Sequence, residues 1–166
     1  MRNGVTSDGK AVLDVFNRTH EETDYLLTYS DENCFTASQE ADFLQRKTDS
    51  ANNVEIIAVV DGVVAGTAGI DALGMRDKIK HRAVFGIAIT KEFWGLGIGK
   101  YLMEACIECA REAGYLQLEL EVVAENERAV EMYRRAGFIE YGRNPKAFRL
   151  RTGEYQELID MRLELK

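Results

Sequence analysis

WGLGIG, residues 94–99, places three glycines at alternate positions between two segments of different periodicity. The segment before it, residues 83–90, is rich in β-branched and apolar side chains and is predicted to be a strand. The segment after it, residues 97–112, has helical periodicity and is followed by Gly114. Glycines at a helix start let a ligand approach the main chain, and the free N–H groups there favour an anion. We therefore predict a phosphate or pyrophosphate site, with Lys100 adding a positive charge; a turn that serves only tight packing is the alternative.

Two common phosphate-binding motifs fit this turn poorly. A P-loop requires G-x-x-x-x-G-K-[ST], but the spacing from Gly95 to Lys100 is one residue too short, and Tyr101 replaces the hydroxyl that holds magnesium. A dinucleotide-binding turn is G-x-G-x-x-G and normally opens its fold, whereas this turn is G-x-G-x-G and follows a predicted antiparallel hairpin. A nucleotide-binding α/β protein is therefore the weakest of the alternatives.

A second motif lies downstream, in NERAVEMYRRAGF, residues 126–138, where Asn126 is predicted to cap a helix that Gly137 ends. The glycine turn resembles the acetyl-CoA signature of GNAT acetyltransferases, R/Q-x-x-G-x-G/A. The downstream motif resembles that family's second signature, N-x-x-A-x-x-x-Y-x-x-x-G-F, at the usual separation. The resemblance covers residues 50–166 well and the first 50 loosely. Trp94 departs from the first signature position, which is usually Arg or Gln. Because the family's pyrophosphate contacts are mainly with main-chain amides, we expect cofactor binding to survive.

The resemblance implies a single domain over residues 1–166 with an α/β fold of the GNAT type. Its mixed sheet is mostly antiparallel, with a central parallel strand pair, and is flanked by helices. A bulge at Gly86 would splay the fourth strand from the fifth, so that the pantetheine arm of acetyl-CoA enters the gap. The resemblance implies these cofactor-binding residues: Phe85, Ile87, Ala88, Ile89, Trp94, Gly95, Leu96, Gly97, Ile98, Gly99, Lys100, Asn126, Ala129 and Tyr133.

Two residues are predicted to carry the chemistry. Tyr133 resembles the family's general acid, and a phenol with a pKa of about 10 is protonated at neutral pH and can donate to a departing thiolate; packing in the core is the alternative. Glu121 resembles the general base of the branch that acetylates a ribosomal protein's terminal amine. By strand alternation it shares one face with Glu119, which would act on it as a neighbouring like charge. A solvated strand face is the alternative for Glu121, and His81 is a weaker candidate base.

The remaining segments complete a mixed α/β order. Asp8 is predicted to cap a first helix and Thr36 to open a second through a capping box with Gln39. The turn Asp61-Gly62 predicts a hairpin. Residues 1–6 are short for the family's first strand. The predicted strands are residues 54–60, 63–70, 83–90 and 116–123, followed by a final hairpin of residues 148–150 and 155–163.

The amino-acid composition limits the classes of binding partner and the cellular location that we predict. The net charge of −7 and the lack of a basic stripe argue against nucleic acid. No apolar run is long enough for a membrane span and no signal peptide is visible, which predicts a cytoplasmic protein. Cys106 and Cys109 fall on an apolar helix face, so core packing is favoured over metal binding.

These observations together predict an enzyme that transfers acetyl from acetyl-CoA to a primary amine of a small molecule or of a peptide or protein terminus, by direct attack and without a metal. The alternative from another class is an acyl-CoA-binding sensor that keeps the fold without turnover. The resemblance also implies that a homodimer formed through the C-terminal strands is plausible.

Overall fold

The computed structural model describes residues 1–165, which form one seven-stranded sheet with four α-helices packed against it. The strand order is β1-β2-β3-β4-β5-β7-β6, and every neighbouring pair is antiparallel except the parallel pair β4–β5. This is the predicted mixed sheet with one central parallel pair. In chain order the elements are β1 Arg2–Asn3, α1 Gly9–Glu22, α2 Ala37–Thr48, β2 Val54–Val60, β3 Val63–Ala72, β4 Arg82–Ile89, α3 Ile98–Glu112, β5 Gln117–Val123, α4 Glu127–Arg135, β6 Ile139–Arg149 and β7 Tyr155–Glu164.

Local signals in the first half of the chain are largely confirmed. Asp61 and Gly62 both have positive φ, at 48° and 83°, as a tight hairpin turn requires. The Thr36 hydroxyl accepts from the Gln39 N–H at 3.3 Å, which completes the predicted capping box. Asp8 does precede α1, but its carboxylate makes no cap bond and instead accepts two bonds from Arg2, at 2.6 and 2.7 Å. The first strand, Arg2–Asn3, is two residues long.

The C-terminal hairpin is longer than the sequence predicted, because β6 begins at Ile139 and not near Phe148. Pro145 lies within this strand and has no N–H for a ladder bond. β6 is the edge strand, and its register with β7 shifts between Asn144 and Phe148, so the ladder is interrupted where the proline stands. Most of β6 is exposed and lacks alternating hydrophobicity, which explains why the pattern missed it.

The predicted gap between β4 and β5 is present, although its predicted cause is wrong. The two strands pair only from Arg82 to Val84 and from Gln117 to Glu119, after which no further partners occur. Gly86 pairs in regular register with Gly69 of β3, so β4 carries no bulge there. The gap therefore arises because β5 diverges beyond Glu119, and it opens toward the glycine turn.

The main core lies between the sheet and helices α3 and α4, while α1 and α2 cover β2 and β3 on the other face. Cys106 is fully buried in the main core and Cys109 packs against it, as the apolar helix face predicted. None of the helices in the described residues combines the length and the hydropathy that crossing a bilayer requires.

A buried charge cluster joins α2 to the sheet. The Lys47 ammonium donates to the Ile70 carbonyl at 3.1 Å and to Asp71 at 2.6 Å, and it lies 4.0 Å from the carboxylate of Glu55. The Glu55 side chain is only 12% exposed. Burial raises the pKa of Glu55 to about 7, and the nearby Lys47 only partly opposes this.

We predict that Glu55→Gln flattens the pH dependence of stability. Because the folded-state pKa of Glu55 is raised to about 7 from its ordinary 4.5, the folded chain retains a proton that the unfolded chain releases. The contribution is complete below pH 4.5 and is lost as pH rises to 7. The wild type should therefore lose roughly 2–3 kcal/mol more unfolding free energy than the variant between pH 4.5 and 8. Urea unfolding at both pH values measures this, with the exposed Glu125→Gln as control; equal losses in wild type and Glu55→Gln would contradict it.

Candidate functional site

The glycine turn forms the start of α3 with an unusual backbone. Gly95 and Gly97 have φ of 82° and 80°, in the left-handed region that side chains rarely adopt, and Gly97 is the N-cap of α3. The Tyr101 N–H bonds to the Gly97 carbonyl at 3.3 Å, as the first bond of the helix. The preceding N–H groups, those of Ile98, Gly99 and Lys100, have no partner within the helix. They point together out of its positive end, which is an arrangement that binds phosphate.

This turn borders a groove of about 880 Å³ between α3 and α4. The glycine turn and the first turns of α3 form one wall, and one face of α4 forms the other. Two of the cations at the groove have carboxylate partners: Lys100 lies 3.8 Å from Glu104, and Arg135 lies 2.8 Å from Glu131. The predicted residues that line this groove are Ile89, Trp94, Gly95, Gly97, Ile98, Gly99 and Lys100.

A smaller cavity of about 110 Å³ continues from the groove toward the middle of the sheet. It is bounded by the end of β4, by α4, and by the C-terminal end of α1 with the segment that follows it. The predicted residues in its wall are Ile87, Ala88, Ile89, Trp94, Asn126, Ala129 and Tyr133. Four residues border both spaces, so the two lie side by side and together are called the path: Ile89, Trp94, Arg128 and Met132.

The main chain of β4 offers hydrogen-bonding groups to this path. The Thr90 N–H donates to the Ala65 carbonyl and the Arg82 carbonyl accepts from the Leu73 N–H, so the even-numbered residues of β4 face β3 with these groups. Because successive strand residues direct these groups to opposite sides, Ile87 directs its N–H and carbonyl away from β3, into the gap that β5 leaves. Such an unpaired strand edge can form hydrogen bonds with the amide groups of an extended ligand. Ala88 directs its groups to β3, and it contributes to the wall only.

Tyr133 lies at the inner end of the smaller cavity, 6% exposed. Its ring meets Phe85 edge-on at 6.1 Å and tilts against Phe138 at 5.8 Å between centroids. Burial raises the pKa of the Tyr133 phenol well above its ordinary value, so the hydroxyl keeps its proton across the physiological range. The phenol therefore stays protonated in the wall of the smaller cavity.

Asn126 has the local role that its sequence position predicted. Its side-chain oxygen accepts from the Ala129 N–H at 3.4 Å, at the start of α4. This cap fixes the first turn of the helix against the gap in the sheet, and the helix then carries Tyr133 two turns further along.

Trp94 bridges the two walls of the path. Its indole N–H donates to the Ile89 carbonyl at 2.6 Å, which ties the glycine turn to the end of β4. The guanidinium of Arg128, on α4, lies 3.9 Å from the centroid of the indole ring. Sequence reasoning missed Arg128, because its partner is 34 positions away and no local pattern connects the two.

Three predicted site residues do not line either space. Phe85 is 4% exposed and supports Tyr133 from behind, and the Leu96 side chain is 62% exposed at the tip of the turn. Glu121 is exposed on the sheet face opposite α3 and α4, next to Asp160 of β7 in the cross-strand register. Its predicted neighbour Glu119 is bonded to Arg82, with one contact at 2.7 Å, so the two glutamates do not form an isolated carboxylate pair.

Residues that the sequence did not single out close the far side of the smaller cavity. They lie at the end of α1 and in the segment after it: Thr19, Thr23, Tyr25 and Leu26. A second pocket of about 230 Å³ adjoins them and extends to the β6–β7 hairpin. Arg151 of that hairpin contacts the segment in two ways. The central carbon of its guanidinium lies 4.1 Å from the centroid of the Tyr29 ring, and the guanidinium donates two hydrogen bonds to the Asp31 carboxylate, at 2.8 and 2.9 Å.

Comparisons with known proteins agree with this geometry. The sequence pattern of the Acetyltransferase (GNAT) family matches residues 14–138. The chain is 32% identical over 118 residues to the L-amino acid N-acetyltransferase AaaT of Escherichia coli K12, an alignment that covers 70% of this chain and 72% of the relative. It superposes on a GNAT-family acetyltransferase from Streptococcus pneumoniae with a TM-score of 0.93 at 27% identity, covering 98% and 97% of the two chains. A yncA acetyltransferase structure from Salmonella typhimurium with acetyl-CoA has a TM-score of 0.88 at 17% identity, covering 99% and 92%.

Proposed function

Because the chain belongs to the GNAT acetyltransferase family, whose members use acetyl-CoA, we propose that it transfers the acetyl group of acetyl-CoA to a primary amine by direct attack. The acceptor is a small molecule or the terminus of a peptide or protein. The finer assignments, which are the acceptor, the general base, a cytoplasmic location and a homodimer, stay predictions.

The proposal rests on the adjacency of the two spaces, which share four wall residues. A ligand whose diphosphate meets the N–H groups of Ile98 and Gly99 can extend along the free edge of β4 and end beside Tyr133. Its amides would meet the main chain of Ile87 on the way. An anion site, an unpaired strand edge and a phenol in this order fit the diphosphate, pantetheine and thioester of acetyl-CoA.

Acetyl-CoA supplies the activated acyl group, and the transfer forms one C–N bond and breaks one C–S bond. Tyr133 donates a hydrogen bond to the departing sulfur. The pKa of a thiol, about 8.5, is below that of a phenol, about 10, and burial raises that of Tyr133 further, so complete transfer of the phenol proton is uphill. Tyr133 therefore stabilises the thiolate as a donor. The proton that the amine nitrogen loses balances the proton that the thiolate finally gains.

Glu121 stays a prediction as the general base. Because it lies outside the walls of both spaces, it would receive the amine proton through water. A base that receives the proton only through water is better matched to an amine with a low pKa. A terminal α-amine with a pKa of about 8 is roughly 10% neutral at pH 7, whereas a lysine-like amine near 10.4 is under about 0.1% neutral.

The acceptor should enter between the segment after α1 and the β6–β7 hairpin, because the pocket there shares Thr23 and Leu26 with the smaller cavity. Its wall carries two carboxylates, Asp24 and Glu32, against one cation, Arg149, and this balance favours a cationic amine over an anionic acceptor.

Release of the CoA thiol across a panel of amines tests the proposal. We expect terminal α-amines to give a kcat/KM at pH 7 at least about tenfold above lysine side-chain amines, since deprotonating the latter costs over about 3 kcal/mol more. The same assay on Glu121→Gln, with Asp160→Asn as its cross-strand control, tests the base. Binding of acetyl-CoA without turnover of any amine would favour the sensor, and no binding at millimolar acetyl-CoA would overturn the proposal.

A further inference from the structure

Arg128 is a cation with no carboxylate partner among residues 1–165, although it lies at the junction of the groove and the smaller cavity. It is exposed on the first turn of α4, and its guanidinium lies over the Trp94 ring, with 3.9 Å from its central carbon to the ring centroid. Lys100 and Arg135, the other cations of the groove, are each close to a glutamate.

Trp94 is itself held in place, because its N–H donates to the Ile89 carbonyl at 2.6 Å. A guanidinium stacked on a fixed indole keeps its edge N–H groups free, since the ring engages only its face. Stacking therefore orders the Arg128 side chain without using its hydrogen-bond donors.

The free edge borders the same groove as the glycine turn, whose residue Gly95 follows Trp94 directly. The first N–H groups of α3 form an anion site on one wall, and Arg128 stands on the opposite wall. A planar guanidinium binds phosphate oxygens with two parallel hydrogen bonds, which the single N–H groups of a helix start cannot do.

We propose that Arg128 is a positioning residue that binds the diphosphate of acetyl-CoA from the α4 side and is presented by Trp94. This inference rests on the proposed function, because it names a second contact to the same cofactor. Trp94 carries no charge, and Lys100 on the same wall lies 3.8 Å from Glu104, so Arg128 on the opposite wall is the groove cation without a carboxylate partner among residues 1–165. The chemistry that Arg128 recognises is the diphosphate, and not the adenosine 3′-phosphate or a carboxylate on the acceptor.

Calorimetry with acetyl-CoA tests the contact. Arg128→Gln should weaken acetyl-CoA binding about tenfold, the loss expected for a charge-assisted pair at an exposed site. Lys91→Gln is the matched control: Lys91 lies 5.7 Å from the centroid of the same indole ring but lines neither space, so its removal should change the Kd less than twofold. If the wild type binds acetyl-CoA and Arg128→Gln binds it with the same Kd, the inference is overturned but the proposed function stands. If the wild type does not bind acetyl-CoA, both are overturned.

Truncated cofactors identify the recognised group. The loss caused by Arg128→Gln should be equal for acetyl-CoA and its 3′-dephospho form, and it should vanish in kcat/KM for S-acetylpantetheine, which has no phosphate. A loss confined to the 3′-phosphorylated form would assign Arg128 to that phosphate and contradict the inference. A raised acceptor KM with an unchanged Kd for acetyl-CoA would assign it to the acceptor and contradict it equally.

A double-mutant cycle with Trp94→Leu tests the role of the ring. If Trp94 presents Arg128, the two substitutions should be non-additive, and Trp94→Leu should weaken binding less in the Arg128→Gln background. Additive losses would contradict presentation by stacking.

Discussion

Tyr133→Phe is expected to lower kcat about 100-fold and to leave the Kd for acetyl-CoA within about twofold. The phenyl ring retains the packing against Phe85 and Phe138, so the cavity keeps its shape. Only the donor to the departing sulfur is lost. Pre-steady-state thiol release, together with calorimetry, separates the chemical step from binding.

Tyr115→Phe is the matched control for this substitution. Tyr115 is also a buried tyrosine of the main core, 4% exposed, and its hydroxyl has no hydrogen-bond partner in the described residues, but it lies between α3 and β5 and lines neither space. The same loss of one oxygen there should leave kcat unchanged. Equal kcat values for wild type and Tyr133→Phe would mean that the Tyr133 hydroxyl takes no part in the reaction and that the residue serves only in packing the core.

Gly97→Ala is expected to weaken acetyl-CoA binding at least about tenfold. Gly97 has a φ of 80°, which costs an alanine roughly 1–2 kcal/mol. The nearest atom to an added Cβ is a Tyr101 ring carbon at 3.8 Å, so backbone strain and not collision is the cause. Relief of that strain would rotate the N–H groups of Ile98 and Gly99 away from the phosphate position. Calorimetry with acetyl-CoA measures the change.

Gly62→Ala is the control that distinguishes the effect of backbone strain on stability from its effect on acetyl-CoA binding. Gly62 has a nearly equal φ of 83° in the β2–β3 turn, and nothing lies within 4 Å of an added Cβ. Both variants should lose about 1 kcal/mol of unfolding free energy, but only Gly97→Ala should lose affinity. Unchanged affinity in Gly97→Ala would mean that the conformation of the turn does not hold the cofactor.

The fold could be predicted from the sequence wherever a short motif specifies the backbone conformation of its own residues. Asp61-Gly62, the Thr36 capping box and the two signatures each specify a backbone conformation within a few residues, and each is found where expected. The long β6 could not be predicted, because an exposed edge strand that contains Pro145 carries no alternation.

The sequence predicted the main-chain elements of the site better than it predicted the contacts between its side chains. The glycine turn, Asn126 and Tyr133 follow from the signatures, and the structure brings them to the walls of two adjacent spaces. Arg128 and the ion pair of Glu119 with Arg82 depend on contacts between distant segments, which no periodicity encodes. The gap beside β4 likewise depends on where β5 diverges, and so its presence was predicted but its cause was not.

A crystal structure with bound acetyl-CoA tests the central claim most directly. We expect the diphosphate oxygens within hydrogen-bonding distance of the main-chain nitrogens at the start of α3, and the thioester sulfur within reach of the Tyr133 hydroxyl. A diphosphate bound away from residues 95–99, or a sulfur remote from that hydroxyl, would contradict the account.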